Sequence, residues 1–276
     1  MQSESKLYQV VRYVLLVLAA AFVIIPLIPV LFMAFKTGIE FSSSSVFAAP
    51  KNWFNLYNFA YAIRVGGLVK GLFTTIFVLA ISLFFSVSFS CMVAYVLERF
   101  DFKAKKLIMM AFLLTMFIPV VTTQVVVFRI MYGLHLYGKI ASIIVLYSGV
   151  GIIDIYIVQN ILQSIPRALD EAGLLDGASY FKIYFSLIFP LLKPAIVTLA
   201  VIKGIGIYND FYIPNLYLIQ GRAQTLTVAL YRFFSGLSTP FEVVSAAVLV
   251  ATVPMVILFL CAQQHIYNGL AGAVKS

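Results

Sequence analysis

Five charged side chains lie within 16 residues in the middle of an otherwise apolar chain: Arg167, Asp170, Glu171, Asp176 and Lys182. On a period of 3.6 residues, the first three of these fall on one side of a helix. A charged helix face between two apolar blocks indicates a surface that lies outside the bilayer and is free to bind a partner.

The ends of this helix can be predicted from residue types. Ser164 can cap its N-terminus, with Pro166 in the first turn, where a missing N–H costs nothing. Gly177 supplies the break, because glycine adopts turn conformations at little cost. Asp176 and Ser179 are both placed to cap a second short helix. The pattern therefore predicts a helix, a glycine turn and a second helix.

Two other groups of residues resemble catalytic or ligand-binding motifs only superficially. The stretch from Gly133 to Ile140 mimics a phosphate-binding GxxxxGK, but Ile140 stands where a Mg²⁺-coordinating hydroxyl is needed, and a membrane helix follows. His135 and His265 have no Cys, His or carboxylate at ligand spacing. No protease motif is present. We therefore expect no metal site, no catalytic residues and no ATP hydrolysis by this chain.

The composition places the chain in a membrane. Of its 276 residues, 63% are hydrophobic and 11% are charged, with a mean hydropathy of +1.04. Soluble domains carry about 25% charged residues. The net charge of +9 is explained more simply by lysines and arginines in cytoplasmic loops than by nucleic-acid binding. Cys91 and Cys261 both lie in apolar segments and indicate nothing about disulfides or redox compartment.

Six stretches are long enough to span a bilayer, which takes about 20 apolar residues. They run approximately over Val10–Phe35, Gly71–Val96, Leu107–Val127, Lys139–Ile161, Leu191–Phe211 and Phe241–Gln263. The first is too long for the core of a signal peptide, so we expect it to be retained. The second carries a stripe of small residues at four-residue spacing, which lets another helix approach closely: Ser82, Ser86, Ser90 and Ala94.

The orientation follows from the placement of positive residues. The dense cluster from Arg99 to Lys106 follows the second span directly, and such clusters resist translocation. Both termini are then cytoplasmic, and so is the charged loop at 164–190.

A few ionisable residues fall at membrane depth, where they usually face a cavity or pair with one another. Asp154, Lys203 and Asp210 are the candidates. They can line a translocation path or form structural contacts between helices, and for Lys203 the two interpretations stay open. For Asp154 a structural pairing is favoured. Tyr147, Tyr156 and Tyr208 can stack on sugar rings, although an interfacial role suits any one of them.

The charged loop resembles a motif of a known family. Glu171-Ala172-Gly173, three residues, Gly177 and then Leu187 to Pro190 are similar to the EAA loop of permease subunits in binding-protein-dependent ABC importers. Gly173 replaces the second alanine. The run Asp176-Gly177-Ala178-Ser179 resembles the carbohydrate branch of that family.

Further elements extend the resemblance over most of the chain. Phe35-Lys36-Thr37, Ala94-Tyr95 with Arg99-Phe100, Ile118-Pro119 and Tyr208-Asn209-Asp210-Phe211 are each similar to family elements of the MalG-type branch. The resemblance implies an all-α membrane protein with the type I ABC importer permease fold: six transmembrane helices in a single domain over 1–276. The implied core is about 70–265, the coupling loop is 164–190 and the cytoplasmic tail is 265–276.

The resemblance also implies the function and its residues. The chain is expected to move a sugar or oligosaccharide into the cytoplasm by alternating access, without an ATPase site of its own. The implied ATPase-coupling residues are Asp170, Glu171, Ala172, Gly173, Asp176, Gly177, Ala178 and Ser179. The candidate translocation-path residues are Asp154, Lys203, Tyr208, Asn209 and Asp210. The tail from Gly269 to Ser276 is expected near the ATPase interface.

The expected partners follow from the same resemblance. They are a second, homologous permease subunit that forms a heterodimer, a cytoplasmic ATPase dimer that binds ATP and Mg²⁺, an external solute-binding protein, the lipid bilayer and the sugar. The expected location is the bacterial plasma (inner) membrane. The alternative is an ion-coupled secondary sugar transporter, which inverted repeats would support; no convincing repeat is found. A membrane enzyme is a more distant possibility, because no catalytic constellation is present.

Overall fold

The structure, a computed structural model, describes residues 6–219, 223–235 and 239–274. All regular secondary structure in these ranges is helical. In chain order the helices are α1 Lys6–Ile24, α2 Leu27–Phe35, α3 Gly38–Ser43, α4 Tyr57–Val65, α5 Leu68–Arg99, α6 Lys105–Thr115, α7 Val120–Gly133, α8 Ile140–Tyr147, α9 Ile152–Ser164, α10 Ala168–Leu175, α11 Tyr180–Ile183, a π-helical turn Tyr184–Ile188, α12 Phe189–Leu191, α13 Lys193–Asn209, α14 Tyr212–Tyr217, α15 Leu226–Ser235 and α16 Phe241–Val274.

Within the described residues, three helices are long and apolar enough to cross a membrane by themselves: Tyr8–Phe35, Leu68–Arg99 and Phe241–Leu260. Three bent pairs pass the same test together, which gives six spans if each pair is one span. The pairs are Lys105–Thr115 with Val120–Gly133, Ile140–Tyr147 with Ile152–Ser164, and Tyr180–Leu191 with Lys193–Asn209. The prediction of an all-α membrane protein is confirmed.

Three of the six predicted spans are bent helix pairs. The third span turns by 107° around Pro119, whose extended backbone separates α6 from α7. The fourth bends by 48° between α8 and α9, where Gly149 and Gly151 interrupt the helix. The fifth bends by 71° at Leu192, just before Pro194.

The fifth span, which consists of Tyr180–Leu191 and Lys193–Asn209, also begins earlier than predicted, at Tyr180 rather than at Leu191. Its middle is π-helical because Pro190 has no N–H to donate to the preceding turn. The N–H of Phe189 instead reaches the carbonyl of Tyr184, five residues back. The helix therefore runs without interruption out of the charged loop towards the fifth span.

The chain divides into two compact units, Met1–Val69 with Ala229–Val253 and Lys70–Val228 with Pro254–Ser276. In the first unit, the fully buried Lys36 donates to Ser44 Oγ at 2.9 Å and to the carbonyl of Ser45 at 2.7 Å. Asn58 donates to the carbonyls of Ala34 and Lys36. These bonds fix the chain where α2 ends. The single domain over 1–276 remains a prediction.

The second unit contains a core between α5, α9, the end of the charged loop and α13. Cys91, Ile155, Leu162, Ile188 and Leu199 are all fully buried in it. The small-residue stripe of α5, which predicts close approach of another helix, is fully buried: Ser82, Ser86, Ser90 and Ala94. Because these side chains are small, α5 can approach the fourth span closely. Ser86 Oγ donates to the carbonyl of Gly149, just before α9, and Ser90 Oγ donates to Asp154 Oδ2 on α9.

Candidate functional site

The charged loop forms the predicted helix, glycine turn and helix. Gly177 has φ +76°, and a Cβ at this position would meet no described atom within 4 Å, so the backbone conformation rather than crowding requires glycine. The N–H of Ala178 bonds to the carbonyl of Gly173, and the N–H of Gly177 bonds to that of Leu174, both at 3.0 Å. This is a Schellman motif, in which the left-handed residue satisfies the last carbonyls of α10.

The caps differ partly from the prediction. Ser179 caps α11 as expected, because its hydroxyl accepts from the N–H of Lys182. Ser164 instead ends α9 and donates back to the carbonyl of Ile161. Arg167 is the N-cap of α10, which begins at Ala168, so Pro166 lies before the helix rather than in its first turn. Asp176 is the C-cap of α10, directly after Leu175, and does not cap the second helix.

Asp170 points into the protein, not towards a partner. It is 9% exposed, and its Oδ1 accepts from the hydroxyl of Tyr95 at 2.7 Å. Its Oδ2 lies 3.2 Å from Arg99 Nε, an ion-pair contact without a hydrogen bond between these two atoms. The expectation that Asp170 shares a free charged face with Arg167 and Glu171 is therefore wrong. Helical period alone cannot tell a solvated carboxylate from one that is paired across helices.

Two arginines add backbone contacts to this junction. Arg99 Nη2 donates to the carbonyl of Ile165 at 2.7 Å, and Arg167 Nη2 donates to the carbonyl of Glu98 at 3.1 Å. The C-terminal end of α5 is therefore bonded to both ends of the connection between α9 and α10.

Gly173 is buried where α10 meets α11. A Cβ at this position would lie 2.8 Å from Ile183 Cγ1, closer than ordinary contact. The replacement of alanine by glycine in the EAA-like motif is thus matched to the fully buried isoleucine facing it. The two helices pack closely through this position.

The outer side of the loop is exposed. Leu175 is 89% exposed and Phe181 is 70% exposed. The remaining predicted coupling residues on this side are also exposed, except the half-buried Ala178: Glu171, Ala172, Asp176, Gly177, Ala178 and Ser179. Two large apolar side chains in such positions indicate a contact surface rather than a solvated one.

A cavity of about 790 Å³ lies at the bend of the fourth span, against the C-terminal half of α13. Four of the five predicted path residues line it: Asp154, Lys203, Asn209 and Asp210. Its volume is in the range of ligand-binding clefts, roughly 300–1,000 Å³. Tyr208, the fifth predicted residue, is buried and does not line this cavity.

Asp154 and Lys203 form one ion pair across the cavity wall. Lys203 Nζ lies 2.7 Å from Asp154 Oδ2 and also donates to the carbonyl of Gly149 at 3.0 Å and to Ser86 Oγ. Asp154 Oδ2 accepts from the N–H of Gly151 at 2.7 Å and from Ser90 Oγ at 3.4 Å. Asp154 therefore has the structural pairing that was expected for it, and its partner Lys203 lines the cavity as well.

Asp210 is held differently. Its Oδ2 accepts from the hydroxyl of Tyr147 at 2.8 Å, and its Oδ1 accepts from the N–H groups of Tyr212 and Ile213. These bonds fix the end of α13 against α8 and begin α14. Tyr147 lines the cavity, whereas Tyr156 does not.

The sequence-based prediction assigns no contact with the candidate site residues to four residues that make one: Tyr95, Arg99, Ser86 and Gly149. The two glycines around residue 150, inside an apolar run, were the available signal for a broken helix. Nothing local could reveal that Arg99 and Asp170 meet, because 70 residues separate them in sequence. In the described residues, no group of three or more His, Cys, Asp or Glu side chains could hold a metal ion.

The bent membrane helices, the exposed helix–turn–helix loop and the polar cavity together define a transport component of a membrane. A family model described as "binding-protein-dependent transport system inner membrane component" matches residues 86–271. The chain belongs to this family, and the predicted family is confirmed.

Known relatives match most of the chain. The starch degradation products transport system permease protein AmyC of Thermoanaerobacterium thermosulfurigenes is 31% identical over 91% of each chain. The melibiose/raffinose/stachyose import permease protein MelC of Bacillus subtilis is also 31% identical over 91% of each chain. A solved bacterial ABC transporter chain, involved in import of the acidic polysaccharide alginate, has a TM-score of 0.85 at 20% identity, covering 96% of this chain and 99% of that one. This last likeness confirms the permease fold.

Proposed function

We propose that this chain is one of two unlike permease subunits of an ABC importer, and that it moves a sugar or oligosaccharide into the cytoplasm. The sugar permeases among its relatives support this assignment. The observation that carries the mechanism is the two-sided loop at 164–190. Its inner side is bonded to the spans, and its outer side exposes Leu175 and Phe181.

The outer side of the loop docks into a cleft on a cytoplasmic ATPase. Leu175 and Phe181 supply apolar contact, and the exposed Glu171 pairs with a basic residue of the ATPase. ATP and Mg²⁺ bind to that partner, which supplies the energy, because this chain has no nucleotide motif of its own.

The inner side transmits the movement. Asp170 and Arg99 join the loop to the end of α5, and α11 continues through the π-helical turn towards the fifth span. Closure of the ATPase dimer then displaces these helices as rigid bodies. This movement converts the path from inward-facing to outward-facing, so that an external binding protein can deliver the sugar.

The cavity beside Asp154 and Lys203 is this chain's part of the translocation path. Asn209 and Asp210 present oxygen atoms there that suit sugar hydroxyls. The homologous second subunit of the heterodimer closes the path from the other side. Tyr208 supports the end of α13 from within the core rather than contacting the sugar.

The subunit resides in the bacterial inner membrane, in keeping with its family. Both termini lie in the cytoplasm, and the tail reaches the ATPase interface. That tail proposal concerns Gly269–Ser276: the side chains from 264 to 274 and residues 275–276 lie outside the described part of the chain. An ion-coupled transporter would work without a soluble motor, and the family does not favour it.

Docking is tested with two substitutions at equally exposed leucine and phenylalanine positions. Leu175 and Phe54 are both 89% exposed, but Phe54 lies in the segment expected outside the cell. The complete importer is purified through a tag on the permease, and the ATPase that remains bound is quantified. We expect Leu175→Asp to lose the ATPase and Phe54→Asp to retain it. Full retention by Leu175→Asp together with Glu171→Lys would refute docking through this surface.

A further inference from the structure

We infer that the cavity of this chain accepts uncharged saccharides and disfavours those that carry a carboxylate. This inference rests on the proposed function, because it assumes that the cavity is a sugar path. The named relatives do not indicate whether the cavity prefers uncharged or anionic saccharides, because MelC is named for uncharged sugars and the alginate importer for an acidic polysaccharide. The inference is therefore drawn from the charges on the cavity wall.

The described wall has two sources of positive charge, and the carboxylate of Asp154 contacts both. Among the lining residues that the structure describes, Lys203 is the only cation, and its ammonium group is bound by Asp154 at 2.7 Å. The second source is the N-terminus of α9, where backbone N–H groups carry partial positive charge. Asp154 Oδ2 accepts from the N–H of Gly151 at 2.7 Å, at that end of the helix.

The remaining bonds leave Lys203 little capacity for a ligand. Its ammonium group also donates to the carbonyl of Gly149 and to Ser86 Oγ, so its three donors all have acceptors within the chain. An anionic sugar would have to displace Asp154 from Lys203 to obtain a cation. It would thereby leave a second carboxylate in the same wall without its partner.

Two further polar side chains on the wall, Asp210 and Asn209, offer acceptor oxygens. Asp210 forms hydrogen bonds with Tyr147 and two backbone N–H groups but no ion pair with any described residue. Asn209 donates through Nδ2 to the carbonyl of Ile205 at 3.1 Å, which leaves its side-chain oxygen as an acceptor. The charged lining residues, Asp154, Lys203 and Asp210, sum to one negative charge. Such a wall favours hydroxyl donors and repels a carboxylate.

The test uses the complete importer in lipid nanodiscs without its external binding protein, so that selection by that protein does not contribute. The probes are uncharged di- and trisaccharides, including melibiose, maltotriose and raffinose, each paired with a derivative in which one primary alcohol is oxidised to a uronate. Saturation-transfer NMR measures weak binding of each. The signal that Asn209→Trp abolishes, in a complex that retains its ATPase, is assigned to the cavity.

We expect each uronate to bind about tenfold or more weakly than its uncharged parent, which is the effect of one repelling carboxylate a few ångströms away at the effective dielectric of a partly buried site. Equal or tighter binding of the uronates overturns the inference while leaving the cavity a sugar site. Failure of every probe, charged and uncharged, overturns the cavity as a sugar path and the inference with it.

A second arm isolates the contribution of this chain. Asp154→Asn frees Lys203 and the end of α9, so it should shift the ratio of affinities towards the uronates by about tenfold. The double variant Asp154→Asn with Lys203→Met removes the freed charge and should restore the preference for uncharged sugars. An unchanged ratio in Asp154→Asn contradicts the inference. If that variant fails to assemble, the comparison on the unmodified complex decides by itself.

Discussion

The junction between Asp170 and Arg99 should be the most mutation-sensitive contact of the coupling loop. Both side chains are buried, so water cannot take the place of the missing partner when either one is removed. Asp170→Ala leaves the Arg99 guanidinium with its one bond to the carbonyl of Ile165 and leaves the Tyr95 hydroxyl without its acceptor. Removing one member of a buried ion pair costs about 3–5 kcal/mol.

A double-mutant cycle separates the pair from the general effect of truncation. Arg99→Met alone leaves a buried carboxylate, and Asp170→Leu alone leaves a buried cation. The double variant leaves no buried charge, because methionine and leucine are apolar. It should therefore be more stable than the sum of the single losses predicts, by about 2–3 kcal/mol.

The measurement is unfolding of the purified permease in mixed detergent micelles, followed by loss of helical circular dichroism. Tyr95→Phe provides an internal scale: it removes one hydrogen bond to a charged acceptor, worth about 1.5–3 kcal/mol. If the single losses add to within about 0.5 kcal/mol, the pair is not energetically coupled, and the reasoning about this junction is refuted.

Two further predictions concern the cavity wall and the turn. Ser86→Ala should destabilise the permease by about 1–2 kcal/mol, because it removes the hydroxyl that bonds to Lys203 and to the Gly149 carbonyl. The control Ser82→Ala should be neutral or stabilising, because Ser82 is equally buried and its hydroxyl has no partner among the described residues. Equal effects of the two variants in the same unfolding assay would contradict this. Gly177→Asn should keep sugar-stimulated ATPase activity near normal, since asparagine tolerates φ +76°, whereas Gly177→Val should lower it severalfold; normal activity of Gly177→Val would show that the turn geometry is dispensable.

Much of the coupling loop could be predicted from sequence because its signals are local. Gly177 and Ser179 each act on backbone groups within a few residues, so residue type and spacing suffice to place them. The stripe from Ser82 to Ala94 was predictable for a similar reason: four-residue spacing places small side chains on one helix face whatever they contact.

The contacts that give those elements their roles could not be predicted in this way. The helical period places Asp170 and Glu171 on the same side of α10. Only the contact with α5 makes Asp170 a buried, paired carboxylate and leaves Glu171 exposed. Likewise, the sequence indicates Asp154 and Lys203 as separate candidates. The ion pair between them depends on how the bent fourth span packs against α13. Long-range pairing depends on how the helices pack, which one-dimensional periodicity does not contain.

Two prolines explain why the third and fifth spans differ from the sequence-based prediction. The sequence predicts one span that contains Pro119, yet the extended backbone of Pro119 produces a turn of 107°. The sequence also predicts that the charged loop ends at Pro190, yet the chain accommodates this proline with a π-helical turn and continues as helix. A proline predicts a disturbance of the helix, whereas neighbouring helices determine its size.

The central claim is that the 164–190 loop faces the cytoplasm and is covered by a soluble motor. Lys182 is exposed on this loop, so Lys182→Cys, in a chain with Cys91 and Cys261 replaced, reports its location directly. A membrane-impermeant thiol reagent should leave intact cells unlabelled, should label inverted vesicles stripped of the ATPase, and should label them far less when the ATPase is bound. Labelling of Lys182→Cys in intact cells would place the loop outside and contradict the account.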